Sequence, residues 1–204
     1  MQQPALLVLV KNPIAGKTKT RLAQDVGPAK ALQMYGILLR HTRDQALGLR
    51  DVTRYLHYSE HVAEDDWSGQ DFIKLVQRGT DLGQRMELAF DHAFARDHDR
   101  VVLIGSDCPG VTTELLEEAF EALRTHEVVL GPANDGGYYL IGLRNPQPGL
   151  FRDMTWSTSS VFEETWARAQ VKGLSLYRLP NRSDVDHLED WLSYGWQLPA
   201  DEDR

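Results

Sequence analysis

Apolar residues in this chain come in short continuous runs that alternate with stretches of helical spacing. Residues 5–10, Ala-Leu-Leu-Val-Leu-Val, have the pattern of a strand buried on both faces. After Pro28, residues 29–49 repeat at helical spacing through Leu32, Tyr35, Leu38, Leu39 and Thr42. Residues 52–58 and 72–77 read as strands separated by a polar loop. Residues 82–96 return to the helical period, with Asp81 and Gln84 as a capping pair. A strand over 101–105 and an amphipathic helix over 113–124 follow, then two strands over 127–131 and 138–143. A helix over 161–171 carries Ser160 and Glu163 in capping-box spacing. The last strand is placed at 174–179 and the last helix at 187–197, with Asp186 and Glu189 as its N-cap pair. This alternation predicts an α/β protein whose mostly parallel sheet is covered on both faces. With no repeat, linker or low-complexity tract, residues 1–204 are expected to form a single domain, and residues 201–204 to fray.

Composition narrows the function classes. The formal charge of −8 argues against a general nucleic-acid surface, which needs a basic field. A small phosphorylated ligand is still compatible, because a few local cations suffice for it. The lone cysteine, Cys108, excludes an internal disulfide and a multi-cysteine zinc site. No apolar stretch approaches the length of a membrane span, so a soluble, cytoplasmic protein without nucleic-acid or membrane partners is expected.

Three segments carry chemistry. The strand at 101–105 ends in Gly105-Ser106-Asp107-Cys108-Pro109-Gly110. The carboxyl end of a strand is where open α/β sheets place their ligands, so Asp107 overhangs a crevice. A single held carboxylate there suits an oxygen-loving cation such as Mg²⁺. Its other reading is a cap for the helix beginning near Thr112. The first strand runs into Lys11-Asn12-Pro13-Ile14-Ala15-Gly16-Lys17-Thr18-Lys19-Thr20-Arg21-Leu22. Four cations in a glycine-containing loop that leads to a helix N-terminus fit a di- or triphosphate, Arg21 as a fork and Lys17 as a point charge. Gly16-Lys17-Thr18 is not a P-loop, since Lys11 stands where that motif requires glycine. Nor does a G-x-G-x-x-G follow the first strand. The third segment, 131–143, contains Asn134-Asp135-Gly136-Gly137, which reads equally as a hairpin turn or a substrate loop. The hydroxyl-rich 154–160, including Ser157, either lines an acceptor pocket or caps the next helix. Asp186, far from Asp107 in sequence, would complete a divalent-metal site if the fold brought the two together.

Taken in this order, residues 11–22, 105–110, 131–143 and 184–190 resemble the glycosyltransferase-like proteins of GT-A fold related to 2-phospho-L-lactate guanylyltransferase. The likeness covers nearly the whole chain. It implies a three-layer α/β/α, Rossmann-like nucleotide-diphospho-sugar transferase sheet. It also implies a metal-dependent transferase that joins a nucleotide or nucleotide-sugar with a small-molecule acceptor, using Mg²⁺ or Mn²⁺. On that resemblance Lys11, Asn12 and Gly16 bind the nucleotide with Lys17 and Arg21, which hold its phosphates. Asp107 and Asp186 hold the metal, and Lys17, Arg21 and Asp107 form the catalytic set. Asp135, Gly136, Gly137 and Ser157 would form the substrate loop. The sequence departs from the family pattern at His187-Leu188, where Thr-Pro is usual. Glycosyl transfer is the leading expectation, nucleotidyl transfer with pyrophosphate release the alternative, and a non-catalytic nucleotide-binding module the third.

Overall fold

A computed structural model describes residues 3–200. Seven strands form one sheet: β1 (Ala5–Val10), β2 (Thr53–Tyr58), β3 (Ile73–Val76), β4 (Val101–Ile104), β5 (Val128–Pro132), β6 (Tyr138–Leu143) and β7 (Leu176–Arg178). Their order is β3-β2-β1-β4-β6-β5-β7. Only β6 runs antiparallel, against both β4 and β5. The helices are α1 (Thr20–Val26), α2 (Pro28–Gly48), α3 (Leu82–Phe94), α4 (Thr113–Ala122), α5 (Val161–Val171) and α6 (Leu188–Ser193). The mostly parallel α/β/α arrangement expected from the alternation is the one observed. The expected fraying of residues 201–204 lies outside the described residues.

The pleat of β1 divides the core. Leu6, Val8 and Val10 face one layer, with Leu115, Leu116, Ala119 and Phe120 of α4 and Ala46 of α2. Ala5 and Leu7 face the other, with Met86, Ala89, Phe90 and Ala93 of α3 and Phe162 and Ala169 of α5. Successive side chains of a strand point to opposite faces, so a run apolar at every position must be covered twice. A third cluster joins α1, α2 and α6 through Leu22, Met34, Tyr35, Leu38, Val185 and Trp191. It pins the segment before α6 to the rest of the molecule. Truncating Trp191 to alanine would cost about 3–5 kcal/mol, the usual toll for a buried large aromatic.

Local signals explain most boundaries, and some fall elsewhere than the spacing predicts. Asp81 accepts from Gln84 N at 2.9 Å and caps α3. Its partner Gln84 reaches Thr80 N at 3.1 Å, one residue before the expected target. Gly27, with φ 83°, ends α1, and Pro28 starts α2, so a separate short helix precedes the long one. The capping box expected at Ser160 and Glu163 is absent. The Ser160 hydroxyl pairs with Thr158 at 3.1 Å, while Phe162 N donates to the Gly136 carbonyl at 2.9 Å, so backbone meets the start of α5. The pair expected at Asp186 and Glu189 is replaced by Asp190, which accepts from His187 N at 2.7 Å and Asp186 N at 2.9 Å. Asp186 thereby keeps its own carboxylate for other partners.

Candidate functional site

Lys19 lies at the centre of a cleft over the carboxyl ends of β1 and β4. The loop that delivers it is tied at its base. Tyr35 Oη accepts from Lys11 N at 3.0 Å and lies 3.1 Å from Ser106 Oγ, linking β1, α2 and the end of β4. Thr18 Oγ1 donates to the Asn12 carbonyl at 2.8 Å and folds the loop back on itself. Gly16 takes φ 77°, a left-handed turn that a residue with a Cβ enters at a cost. Lys19, at φ 52°, adopts that conformation without being glycine. Its ammonium donates to Asp107 Oδ2 at 2.9 Å and to the Val185 carbonyl at 2.6 Å, and lies 3.5 Å from Asp186 Oδ1. Arg21 Nη1 binds the other oxygen of Asp186 at 2.7 Å. The Val185 amide donates to the Asp107 carbonyl at 2.8 Å, so backbone also joins the two acidic segments.

Asp107 therefore does not cap α4; Thr112 does, accepting from Leu115 N at 3.3 Å. Burial works against the Asp107 carboxylate, but the Lys19 ammonium outweighs it and holds the group below its ordinary value. Burial likewise works against charge on Lys19, and Asp107 with Asp186 keeps it above the usual lysine range. Asp184 responds in the opposite direction. Burial, followed by the charge of Asp107, pushes its carboxyl up to about 8, and its Oδ1 is buried without a hydrogen-bond partner. The cleft thus holds two carboxylates sharing one ammonium, and a third carboxyl, that of Asp184, lines it with them.

The cleft encloses about 500 Å³. Lys11, Lys17, Arg21, Asp107 and Asp186 line it, as the sequence leads one to expect, and Lys19, Arg85, Tyr138 and Asp184 join them. The remaining expected residues are absent from its lining. Asn12 is buried, its Oδ1 accepting from Glu60 N at 2.8 Å and its Nδ2 donating to the His61 carbonyl at 2.9 Å. Its amide fastens β1 to the loop after β2, and of that dipeptide only Lys11 lines the cleft. Gly16 stands in the exposed turn. Asp135 closes its own turn by accepting from Gly137 N at 2.9 Å. Gly136 packs so closely on Ser159 that an added Cβ would lie 2.0 Å from its carbonyl oxygen. Ser157, at φ 63°, belongs to an exposed turn. Hence 134–137 forms the turn between β5 and β6 and seats the start of α5.

Sequence reasoning counted Lys19 among the loop cations without singling it out, and it missed Asp184 and Arg85. A signal for Asp184 exists, because it stands two residues before Asp186 in extended chain, where alternate side chains share a side. No local signal distinguishes Lys19 from Lys17.

The family described as "Uncharacterized protein conserved in bacteria (DUF2064)" matches residues 42–158, more than half of the chain. The chain belongs to the DUF2064 family. The matched stretch carries Asp107 and the turn at 134–137, while the cationic loop and Asp186 lie on either side of it. No curated protein matches the chain. Among solved structures, this DUF2064 protein is similar to a candidate nucleotide-diphospho-sugar transferase from Desulfovibrio desulfuricans G20. The two are 34% identical with a TM-score of 0.83, over 92% of this chain and 84% of that one. It shares its fold with a CMP:2-keto-3-deoxy-manno-octonic acid synthetase complexed with CTP (10% identity, 95% and 97% covered, TM-score 0.56). Rv0371c from Mycobacterium tuberculosis H37Rv in complex with manganese has the same fold (18%, 94% and 97%, TM-score 0.52). The fold is that of the nucleotide-diphospho-sugar transferases. Among the described residues no helix is long and apolar enough to cross a membrane.

Proposed function

We propose that this DUF2064 protein is a transferase that takes a group from a nucleotide-activated donor, with Mg²⁺ or Mn²⁺ held between Asp107 and Asp186. The observation that carries this reading is the convergence of two carboxylates from distant segments on one cationic position inside a cation-rimmed cleft. The donor set suits a hard cation. Both carboxylates are more than a third exposed to the cleft, at 38% and 39%, and the Val185 carbonyl lies beside them. Among the described residues no three acidic, histidine or cysteine side chains are grouped to hold an ion by themselves. Two carboxylates completed by substrate phosphates are a usual environment for Mg²⁺. When bound, the cation supplies neutralisation of the charge that develops on a departing diphosphate or pyrophosphate.

The chain's own residues do the positioning. Arg21 offers its guanidinium fork to phosphate oxygens, and Lys11 and Lys17 add point charges from the rim. The first turn of α1 has no side-chain cap, which leaves backbone N–H groups for a ligand oxygen. Arg85 approaches from α3, and Tyr138 lines the cleft from β6. Catalysis in such a site is positioning and electrostatic stabilisation more than covalent chemistry.

Glycosyl transfer from a nucleotide-sugar is the leading reading, supported by the relative at 34% identity described as a nucleotide-diphospho-sugar transferase. Nucleotidyl transfer is the second, favoured by the cation content of the cleft. Lys11, Lys17, Lys19, Arg21 and Arg85 supply more positive charge than a diphosphate bridge requires. A product assay with Mg²⁺ or Mn²⁺ and a panel of triphosphates and nucleotide-sugars decides between them. Nucleoside diphosphate release from a nucleotide-sugar supports glycosyl transfer. Pyrophosphate release from a triphosphate and an acceptor, with no nucleotide-sugar consumed, reverses the order. Nucleotide binding that ignores metal, with no turnover of any donor, returns the protein to a binding module.

A further inference from the structure

Lys19 differs from the other cations of the cleft. Its side chain is 6% exposed, whereas that of Arg21 is 67% exposed. An ammonium has three protons to donate, and three oxygens surround this one: Asp107 Oδ2 at 2.9 Å, the Val185 carbonyl at 2.6 Å and Asp186 Oδ1 at 3.5 Å. Those are the oxygens that a hard divalent cation would take. Asp184 also lines the cleft, and its buried Oδ1 has no hydrogen-bond partner. The backbone at Lys19 holds a left-handed conformation, unfavourable for a residue with a Cβ, and α1 starts at the next position. The chain is thus shaped to deliver this ammonium to the carboxylates.

We propose that Lys19 is a resident cation that competes with a divalent metal for the oxygens of Asp107 and Asp186 and leaves them for the donor's phosphates when metal and nucleotide load. The proposal rests on the reading that Asp107 and Asp186 hold a metal. Two cations cannot share oxygens this close without strong repulsion, so Lys19 and a divalent ion exclude each other from the cradle. The lysine stem has four flexible carbons, which lets the ammonium swing out while its backbone stays in place. Outside the cradle it joins Lys17 and Arg21 on the phosphate side. Metal alone then binds weakly, because it must displace an ion pair already made. Nucleotide phosphates that accept the released ammonium restore the lost contacts. Metal and nucleotide each strengthen the binding of the other, as linkage requires.

Mn²⁺ titrations followed by electron paramagnetic resonance, without nucleotide, test this on the parent, Lys19→Met and Asp107→Asn chains. Lys19→Met is expected to bind Mn²⁺ at least roughly tenfold more tightly than the parent, a modest share of the charge repulsion removed. A second measurement uses the parent alone, so it holds even if Lys19→Met does not fold. Reductive methylation mapped by mass spectrometry should find Lys19 protected relative to Lys11 and Lys17, and excess Mg²⁺ should make it reactive. If Lys19→Met binds no more tightly and Mg²⁺ leaves Lys19 protected, the proposal is overturned. Mn²⁺ binding by the parent that Asp107→Asn abolishes would in that case leave the metal reading standing. No Mn²⁺ binding by the parent or by Lys19→Met overturns both.

Discussion

Two polar clusters of this protein contain buried atoms without partners, and they treat charge in opposite ways. At the carboxyl ends of β1 and β4, the Lys19 ammonium lies between the carboxylates of Asp107 and Asp186, so opposite charges compensate. Between β2 and α3, His57 and His92 lie with ring centroids 6.5 Å apart, beside Tyr55 and His98. His57 Nε2 and His92 Nδ1 have no hydrogen-bond partner. Burial, then the neighbouring His92, lowers His57 to about 4, so that ring stays neutral where Asp107 stays ionised. Tyr55 Oη and the Gln3 carbonyl take the two ring nitrogens of His98 at 2.9 and 2.6 Å and close the histidine group on itself. The difference lies in access. A charge pair facing a cleft can exchange partners with a ligand, whereas the buried His57 ring has one arrangement that keeps its surroundings packed.

The largest expected effect tests which cluster carries the reaction. Asp107→Asn keeps the shape of the turn and removes the negative charge that a hard cation and Lys19 both need. Turnover should fall on the order of 100-fold or more, as when a key electrostatic group of a preorganised site is removed. Thermal melting should fall as well, because the buried Lys19 loses its nearest compensating charge, so turnover is compared per folded protein. His57→Phe, in the other cluster, should leave turnover within about twofold at neutral pH, since the site's electrostatic field does not depend on it. Full activity and unaltered Mn²⁺ binding in Asp107→Asn would remove the metal assignment. A turnover loss in His57→Phe matching that of Asp107→Asn would end the distinction between the clusters.

The next effect is on stability, and its sign follows from His57. Folded His57 titrates near 4 and an unfolded histidine near 6.5. Between those values the unfolded chain binds a proton that the folded chain does not. Stability therefore rises with pH across this window. The contribution is complete above about pH 6.5 and is lost as the pH falls toward 4, up to about 3 kcal/mol for that gap. Denaturant titrations at pH 4, 5, 6 and 7 should show this acid limb in the parent, and His57→Phe should flatten it. An unchanged limb in the variant would assign acid sensitivity to the carboxylate side instead.

Much of the fold was legible because burial on two faces writes itself as continuous apolar runs. Residues 5–10 and 101–105 read as interior strands, with Asp107 just past the end of the second. The site was legible where one segment sufficed, as with Asp107 or the cation count of 11–22. It was not legible where hydrogen bonds decide which side chain is free. Asn12 and Lys11 look equally available in sequence, yet the amide of Asn12 is fully engaged by residues 59–61. Gly136 looked equally like a ligand loop, but its carbonyl and its close packing on Ser159 serve α5. The pair that opens α6 stands one residue later than expected, at His187 and Asp190, and this frees the Asp186 carboxylate. Nothing local announces that Asp186 meets Lys19, because their proximity is set by the packing of Leu22, Val185 and Trp191.

The smallest effect belongs to the rim of the charged cluster, at Arg21. Its ion pair with Asp186 is short, at 2.7 Å, but the two side chains are 67% and 39% exposed. Water and salt screen such a pair, so its worth to the fold is below about 1 kcal/mol. Arg21→Ala should melt close to the parent at low salt and no differently from it at high salt. Its effect on ligands should be larger, because a phosphate bound by the guanidinium fork forms a charge-assisted contact that the free protein lacks. Nucleotide affinity should drop by about 1–3 kcal/mol, while affinity for the bare nucleoside should hardly move. Calorimetry of both ligands on both chains measures this separation. Equal losses for nucleoside and nucleotide would place Arg21 near the base or show a general change of fold. An unaltered nucleotide affinity would make the Arg21–Asp186 pair as self-contained as the histidines between β2 and α3.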